Sequence, residues 1–320
     1  MKNNSRVSRV VSLSGIMTCF LIGLLGLLFF PPCSSSQVID ETPHEKLTVD
    51  SRLSSMGGPY ASDITNASSM VVNPAVLSIL REKNIQVDVI QDWTERTVRE
   101  VINFPLSLSN DVHLGFQGSF RHPGVIEEKS KFEGLQFNQY YFSASSSLLI
   151  SPSFSLGIGG GFSAGSGTSG RKKAFNGSTG FVYRPSPGIS YALSYDVGNQ
   201  LIYSQDVVSM RSSFKTTDYG HTIRFGMSMW YPERKETQLA LSIGAEKTID
   251  IEGVTYRGGI EYYPAGIVAI RIGYINSRAF SSTRFGLGLR FNRFGIDYAI
   301  SPVKKDHLFQ QLGLSLVLDK

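Results

Sequence analysis

Apolar and polar residues alternate with a period of two along most of the C-terminal two thirds of the chain. A clear example runs from residue 284 to residue 291, where the sequence is RFGLGLRF. The same alternation recurs at 268–274 and at 312–318. Because successive side chains of a strand point to opposite faces, each of these strands has one apolar face and one polar or glycine-rich face.

The positions of the charged residues on these strands indicate which face points outward and which points inward. The polar face carries Arg and Glu, and the sequence gives no sign of helices that would cover a sheet. A closed transmembrane barrel accounts for both features, because its apolar residues face lipid and its polar residues face the lumen. We therefore predict an all-β protein that forms a transmembrane antiparallel β-barrel. A soluble β-sandwich or repeat protein is the alternative.

The pattern predicts about 14 strands. Their predicted ranges are 85–93, 98–109, 112–121, 136–151, 154–165, 173–184, 188–202, 219–231, 237–247, 254–263, 267–276, 283–292, 294–301 and 308–318. An even number of strands returns both ends of the barrel to the periplasmic side, as in bacterial barrels.

The predicted connections alternate between short turns and longer polar loops. Pro, Gly, Asn, Asp and Ser mark the short turns, which are 109–111, 151–153, 184–188, 263–266 and 291–293. The longer loops are 122–135, 166–172, 203–218, 248–253, 277–282 and 302–307. Short turns on one rim and long loops on the other are typical of outer-membrane barrels.

The N-terminus has the anatomy of a secretory signal. A basic segment at 2–9 precedes an apolar run at 16–30, and small residues follow. The run is shorter than the roughly 20 residues of a membrane-spanning helix. We predict a cleaved signal peptide at 1–36, with an uncleaved anchor helix or a lipoprotein anchored at Cys33 as alternatives. Both cysteines lie in this segment, so cleavage leaves no thiol or disulfide chemistry.

The charged residues of the chain limit the kinds of partner that the protein is expected to bind. The signal segment holds three basic residues and no acid, so the formal charge of +5 falls to +2 after cleavage. The remaining Lys and Arg residues are scattered over strand faces and loops, so we predict no nucleic-acid partner. Membrane lipid is the partner that the barrel itself implies.

The residues between the signal and the barrel form two further parts. Residues 37–50 are polar, and we predict a flexible N-terminal arm. In the segment 51–84, Asn73 followed by Pro74 is typical of a helix start, because Asn accepts a hydrogen bond from a free N–H and Pro suits the first turn. This predicts a short helix at about 74–82, ahead of a barrel that spans 85–320.

The segment 51–84 resembles the N-terminal pattern of PorV/PorQ-like outer-membrane proteins, which are relatives of the FadL fatty-acid channels. The matching residues are Arg52, Met56, Gly57, Gly58, Asp63, Ala67, Asn73, Pro74, Ala75 and Leu77. Pro59 and Val76 depart from the pattern, where the family usually has Ala and Gly.

The resemblance implies that this segment lies inside the barrel as a plug, and that the protein sits in the outer membrane of a Gram-negative cell. PorV/PorQ-like proteins hold or shuttle cargo proteins for type IX secretion and surface attachment. Secreted cargo proteins and other secretion-system components are then the expected partners, with cargo meeting the loops 122–135 and 203–218. FadL relatives instead pass hydrophobic small molecules, and a channel of that kind is the alternative function.

Alternation also places charged residues on the inner faces of neighbouring strands. We predict that six of them form a ladder of ion pairs in the lumen: Arg257, Glu261, Arg271, Arg284, Arg290 and Asp297. Paired charges would fill the lumen and hold the plug, whereas unpaired charges would form a selectivity lining for an anionic solute. The glycines between 157 and 170 predict either room for the plug or a strand kink that opens the wall sideways.

The sequence gives no pattern of catalytic or cofactor-binding residues. None of the five histidines has a second ligand at the spacing of a metal site, and they are His44, His113, His122, His221 and His307. We therefore predict a protein without enzymatic activity and without a cofactor. A lipid hydrolase or a surface protease is the form that an enzyme would take on this fold.

Overall fold

A computed structural model describes residues 50–58, 60–92, 97–123, 138–167, 170–205, 212–231, 238–249, 251–264, 266–278, 281–304 and 307–319. The predicted signal peptide and the predicted arm up to residue 49 lie outside these ranges. In the described part of the chain, no helix is long and apolar enough to cross a membrane.

In the described residues, three short helices come before the first strand. They are α1 (Ser51–Ser55) and two 3-10 helices, η1 (Ala67–Val71) and η2 (Pro74–Ile79). Each follows a residue whose side chain accepts a hydrogen bond from a backbone N–H of the first turn, and these residues are Asp50, Asn66 and Asn73. Such caps stabilise helices that are too short to persist alone.

The helix predicted at about 74–82 is present but shorter and more tightly wound. It starts as predicted, with Asn73 as the cap and Pro74 in the first turn. It ends at Ile79 because Leu80 has the extended backbone angles φ −52° and ψ 132°, which lead the chain directly towards the first strand.

Fourteen strands follow. They are β1 (Lys83–Asp92), β2 (Thr97–Ser107), β3 (Val112–Pro123), β4 (Asn138–Ser151), β5 (Phe154–Gly167), β6 (Gly170–Ser186), β7 (Ile189–Gln205), β8 (Ser212–Tyr231), β9 (Gln238–Thr248), β10 (Thr255–Tyr263), β11 (Val268–Asn276), β12 (Ser281–Phe291), β13 (Phe294–Lys304) and β14 (His307–Asp319). Each strand pairs antiparallel with its neighbours in sequence, and β1 pairs with β14 to close the barrel. The predicted all-β, 14-strand barrel is confirmed.

The two faces of the wall differ as the alternation predicts. On β12, Phe285 and Leu287 are exposed on the outside, whereas Ser282 and Arg284 are buried on the inside. The pattern repeats on β11, where Ile270 and Ile272 are exposed and Arg271 is buried. An apolar outer belt around a polar interior is the arrangement of a membrane-spanning barrel.

Several predicted loops are strand instead. β6 and β7 each have 17 residues and β8 has 20, so most of the predicted loops 166–172 and 203–218 belongs to paired strands. Residues 302–304 likewise extend β13. These residues were predicted as loops because they are polar. A paired strand outside the hydrocarbon layer keeps its main-chain hydrogen bonds without needing an apolar face. Most of the predicted loop 122–135, and residues 206–211 of the second predicted cargo loop, lie outside the described ranges.

Candidate functional site

The chain from residue 50 to residue 80, here called the plug, contacts the inner wall of the barrel. Its apolar residues are buried, and the largest of them are Leu53, Met56, Tyr60, Ile64, Met70 and Leu77. They form one cluster with wall residues, which include Val182, Ala192, Trp230 and Ala240. The plug therefore has a hydrophobic core of its own that is completed by the barrel.

Glycines on the inner wall allow the plug backbone to approach closely. A Cβ on Gly259 would lie 2.7 Å from the Cβ of Met56, and one on Gly273 would overlap the backbone of Met56 and Gly57. On the other side of the barrel, a Cβ on Gly157 would overlap the peptide between Pro74 and Ala75. A side chain at any of these positions would force the plug backbone to shift away from the wall.

The glycine-rich part of β5 thus makes room for the plug, which is the first of the two roles predicted for it. Gly157 and Gly159 face the plug, and β5 is paired with both of its neighbours without a register shift through 157–165. The predicted kink that would open the wall at this strand is therefore wrong. A strand that pairs on both sides keeps the wall closed there.

One plug residue joins the plug to the charges of the wall. The guanidinium of Arg52 lies 2.6 Å from Asp63 of the plug and donates to both carboxylate oxygens of Glu261 on β10, each at 2.9 Å. Glu261 also accepts from Arg271 at 2.5 Å. Arg271 in turn lies 2.7 Å from Asp297.

The series ends at Arg290, whose Nη2 lies 3.2 Å from Asp297 and whose Nη1 donates to the Ser315 hydroxyl at 2.9 Å. We call the alternating series Asp63, Arg52, Glu261, Arg271, Asp297 and Arg290 the lumen ion-pair chain. Its first five members are almost fully buried. Buried charges of this kind need such partners, because an unpaired ion is expensive to remove from water.

A second group of charges lies on β7 to β10. Arg224 pairs with Asp196 and, at 2.7 Å, with Glu246, and Glu246 lies 3.5 Å from Arg257. Arg257 also donates to the carbonyl of Gly57 in the plug at 3.2 Å. This group therefore holds the plug at a second point.

The structure divides the six residues of the predicted ladder. Glu261, Arg271, Asp297 and Arg290 come together in the lumen ion-pair chain, while Arg257 belongs to the second group. Arg284 is buried on the inner face of β12.

Alternation also places Arg224 and Glu246 on the inner face, where the structure has them, but sequence reasoning missed three members of these groups. Arg52 and Asp63 were assigned to the plug pattern but not to the charges of the lumen, and Asp196 was not singled out. A usable signal was present for Arg52, since it is the one charged residue of α1 and stands among Ser, Leu and Met. A charge in so small and apolar a helix needs a partner from elsewhere in the fold.

The other residues of the plug pattern have definable structural tasks. Gly57 and Gly58 have φ angles of +101° and +114°, which favour glycine and turn the chain after α1. Asn73 caps η2 and donates to the carbonyls of Ala61 at 2.9 Å and Phe181 at 3.2 Å. The Ala75 carbonyl accepts from Ser155 of β5 at 2.6 Å.

The structure describes one of the two residues that depart from the family pattern. Val76, where the family usually has Gly, is fully buried in the plug core. A larger side chain at this position therefore adds apolar contact and does not disturb the helix. Pro59 lies outside the described residues.

Burial and charge shift the pKa values of plug residues. Burial raises the pKa of the Asp50 carboxyl to about 6, although hydrogen bonds from Ser68 and Leu53 oppose the shift. Burial alone would lower the pKa of Arg52, but the carboxylates of Asp63 and Glu261 outweigh it, so this pKa lies well above its ordinary value. Arg52 is therefore always a cation, whereas Asp50 titrates in the physiological range.

The histidines that the structure describes are dispersed in the fold. His113 faces inward on β3, and its Nδ1 lies 2.9 Å from the Ser107 hydroxyl. His221 lies on β8 and is hydrogen-bonded to Tyr195. Among the residues that the structure describes, no group of three or more His, Cys, Asp or Glu side chains is arranged to hold a metal ion.

Comparison with known proteins shows which solved structures share this fold. No protein-family model and no curated protein matches the sequence. Solved structures do match, and the ones described below are a hydrocarbon channel, a toluene transporter and a FadL homologue. These neighbours are channels and not enzymes.

Three of these structures represent the match. The first is the CymD monoaromatic hydrocarbon channel, with a TM-score of 0.56 over 84% of this chain and 96% of that chain. The second is the toluene transporter TodX of Pseudomonas putida, with a TM-score of 0.53 over 82% and 95%. The third is a FadL homologue of Pseudomonas aeruginosa, with a TM-score of 0.55 over 84% and 97%. Each is 12% identical to this chain, so the likeness shows the fold. The resemblance to PorV/PorQ-like proteins stays a prediction.

Proposed function

We propose that this chain is a non-enzymatic barrel of the outer membrane that passes hydrophobic small molecules, as FadL-like channels do. The observation that carries the proposal is the extent of the fold likeness, which covers more than four fifths of this chain and nearly all of each hydrocarbon channel. The apolar outer belt supports a membrane location. This function is the alternative, and not the first choice, of the sequence analysis.

The charges of the lumen favour an uncharged solute. The lumen ion-pair chain alternates three Arg with three carboxylates, so it has no net charge. An anion-selective lining needs cations that are left free to bind the solute. The paired arrangement therefore argues against the selectivity lining and supports the structural role of these charges.

Passage through such a barrel requires the plug to move. The plug touches strands on every side of the barrel, from Asn84 on β1 through Gly157 on β5 and Ser190 on β7 to Ser301 on β13. We infer that a solute passes when part of the plug leaves the wall, and that the contacts of Arg52 are the strongest ones to break.

A disulfide lock tests this mechanism. The hydroxyl oxygens of Ser54 in the plug and Ser301 on β13 lie 3.3 Å apart, so Ser54→Cys with Ser301→Cys places two thiols within bonding reach. The matched control is Thr222→Cys with Thr248→Cys, whose parent oxygens lie 3.0 Å apart on two neighbouring strands of the wall. Both pairs of substitutions are introduced into a variant in which Cys19 and Cys33 have been replaced by Ser.

The readout is uptake of radiolabelled toluene and of a long-chain fatty acid by Gram-negative cells that lack their own channel of this type. We expect the parent barrel to raise uptake, the oxidised plug lock to abolish the gain, and reduction to restore it. The wall-to-wall disulfide should leave uptake unchanged. No gain from the parent barrel would overturn the channel proposal, whereas uptake through the oxidised lock would overturn only plug movement.

A second candidate function is the holding of secreted cargo proteins in the manner of PorV/PorQ-like proteins. It is favoured by the plug, which is fixed at two points by buried charges and suits a barrel that works with its lumen closed. The test is a pull-down of the native, detergent-extracted barrel followed by mass spectrometry. Secreted proteins that share a C-terminal domain support cargo holding. The barrel alone with bound fatty acid or hydrocarbon counts against it.

A further inference from the structure

A row of polar, uncharged side chains crosses the inner wall of the barrel from β1 to β4. It consists of Gln86, Asn103, Gln117 and Ser143, each of which is the direct partner of the next on the neighbouring strand. None of the four is more than 5% exposed. Neighbouring strands lie about 4.8 Å apart, so each side chain is within reach of the next. We call this feature the polar row.

The polar row lies between the wall and the plug. The short helix η1 contacts all four strands that carry the row. Next to the row the plug is apolar, because a Cβ on Gly115, two residues before Gln117 on β3, would overlap the side chains of Met70 and Leu77. A polar strip and an apolar surface therefore meet here, and the plug covers both.

Hydrogen bonding within the polar row is incomplete. The Nε2 of Gln117 donates to the Oδ1 of Asn103 at 2.9 Å. Among the described residues, the Nδ2 of Asn103 and the Oε1 of Gln86 have no hydrogen-bond partner, although both atoms are shielded from solvent. The same is true of the hydroxyls of Ser143, at the end of the row, and of Ser69, in the middle of η1. Buried polar groups without a partner are costly, so several together indicate a bound group that pairs with them.

The unpaired atoms define which chemical group fits between β1 and β2. Asn103 offers a donor and Gln86 an acceptor, and these two residues are direct cross-strand partners whose Cβ atoms lie about 5 Å apart. A group that joins them must accept one hydrogen bond and donate another. An ammonium group cannot accept from Asn103, and a carboxylate cannot donate to Gln86, whereas a hydroxyl group does both.

We propose that the polar row binds one hydroxyl group between Gln86 and Asn103. In the barrel with its plug seated, this is the hydroxyl of a water molecule, the usual partner of buried polar groups that the protein itself leaves unpaired. When a solute enters, the same position takes the hydroxyl of an apolar alcohol or phenol, whose hydrocarbon part suits the apolar surface beside the row. This preference for hydroxylated solutes over plain hydrocarbons rests on the channel function proposed above.

A double-mutant cycle tests the site in the absence of any solute. Gln86→Met removes the acceptor and Asn103→Leu removes the donor, each with a side chain of similar size. The measurement is hydrogen exchange of the η1 amides. A group that bridges the two residues makes their effects non-additive in free energy. The matched control combines Gln86→Met with Val101→Ala, which changes a buried apolar neighbour on the inner face of β2. Asn103→Ala replaces Asn103→Leu in the cycle if that variant does not fold.

We expect each single substitution of the pair to speed exchange, because it removes one hydrogen bond of the bridging hydroxyl. The double variant should exchange about fivefold more slowly than the product of the two single effects, which corresponds to one hydrogen bond counted twice. In the control pair the effects should multiply. Slower exchange in Gln86→Met, or effects that multiply in the Gln86 and Asn103 pair, would overturn the hydroxyl site. Folding of every variant is checked by the heat-dependent mobility of the barrel on gels.

Competition for toluene uptake distinguishes a solute hydroxyl from water. p-Cresol and p-xylene have nearly the same size and differ by a hydroxyl in place of a methyl group. Because they partition differently into membranes, the ratio of their half-inhibiting concentrations is compared between the parent and each variant. We expect Gln86→Met to reduce the advantage of p-cresol about fivefold, and Val101→Ala to leave it unchanged.

The outcomes separate the inference from the function on which it rests. An unchanged ratio in Gln86→Met would overturn the preference for hydroxylated solutes and leave water as the occupant of the site. No uptake of toluene by the parent barrel would overturn the channel function, and the double-mutant cycle would still decide whether a hydroxyl bridges Gln86 and Asn103.

Discussion

Arg52 in the plug and Glu261 on β10 form a two-point contact, in which Nε and Nη2 of Arg52 each donate to one carboxylate oxygen at 2.9 Å. Both side chains are almost fully buried. The planar guanidinium matches the carboxylate in this geometry, which a lysine ammonium cannot reproduce. This contact connects the plug to the charges of the wall, and it is the first place to test how firmly the plug is held.

Replacement of Arg52 should release the plug. Arg52→Met leaves the buried carboxylate of Asp63 without its ion partner, and breaking one side of a buried pair costs about 3–5 kcal/mol. We expect hydrogen exchange of plug amides to rise accordingly, while the amides of the strands change little. The control is Arg278→Met, which removes an exposed pair with Glu252 and should cost at most about 1 kcal/mol. Equal exchange in the two variants would show that Arg52 does not hold the plug.

Two adjacent glycines on β10 offer a matched test of the close contact between plug and wall. Gly259→Ala puts a methyl group against Met56 and should loosen the plug by about 1–3 kcal/mol, the usual cost of overpacking. Gly258→Ala points outward, has no atom within 4 Å, and should be neutral or slightly stabilising. Plug exchange is again the measurement, and the prediction fails if both variants behave alike.

Alternation was enough to predict the barrel because it reports directly on the two environments of each strand. Thirteen of the predicted strands differ from the structure by only a few residues at their ends, but β8 begins seven residues before its predicted start at 219. Its first part carries no alternation, since main-chain pairing and not an apolar face holds it together. Strand ends that leave the hydrocarbon layer are therefore invisible to this kind of argument.

The charged residues of the lumen show a second limit of prediction from the sequence. Alternation predicted that Arg271 and Asp297 both face the lumen, because the orientation of each side chain depends only on its position in its own strand. It did not predict that Arg52, more than 200 residues away from Glu261 in sequence, would join them. Contacts between the plug and the wall depend on how the plug is folded inside the barrel, and no period in the sequence encodes that.

Asn73 is predicted to organise the second half of the plug. Its Oδ1 caps η2, and its Nδ2 donates to the carbonyls of Ala61 and Phe181. Asn73→Ala removes all three bonds and should cost about 2–3 kcal/mol, because buried carbonyls are left without a donor. Asn73→Ser keeps a capping oxygen but cannot reach both carbonyls, so its exchange rate should fall between those of the parent and of Asn73→Ala. An exchange rate for Asn73→Ser equal to that of the parent would show that only the cap matters.

The last prediction concerns pH and the start of the plug. Asp50 caps α1 by accepting from Leu53, also accepts from Ser68, and lies beside Asp88, whose carboxylate accepts two hydrogen bonds from Ser51. Burial raises the pKa of Asp50 to about 6, from 3.8 for a free carboxyl. The seated plug therefore binds the Asp50 proton more tightly than the released plug does.

The sign of the effect follows from linkage. Seating of the plug is strongest below about pH 4, where Asp50 is protonated in both states, and weakens up to about pH 6 as the released state loses its proton first. Above about pH 6 this contribution is constant. Asp50→Asn keeps a capping oxygen but cannot ionise, so the difference in plug exchange between the parent and this variant reports the Asp50 charge, including its repulsion of the Asp88 carboxylate. We expect the difference to grow between pH 4 and pH 6 and then to level off, with the variant holding the plug more firmly. A difference that stays constant over this range would mean that Asp50 does not control how the plug is seated.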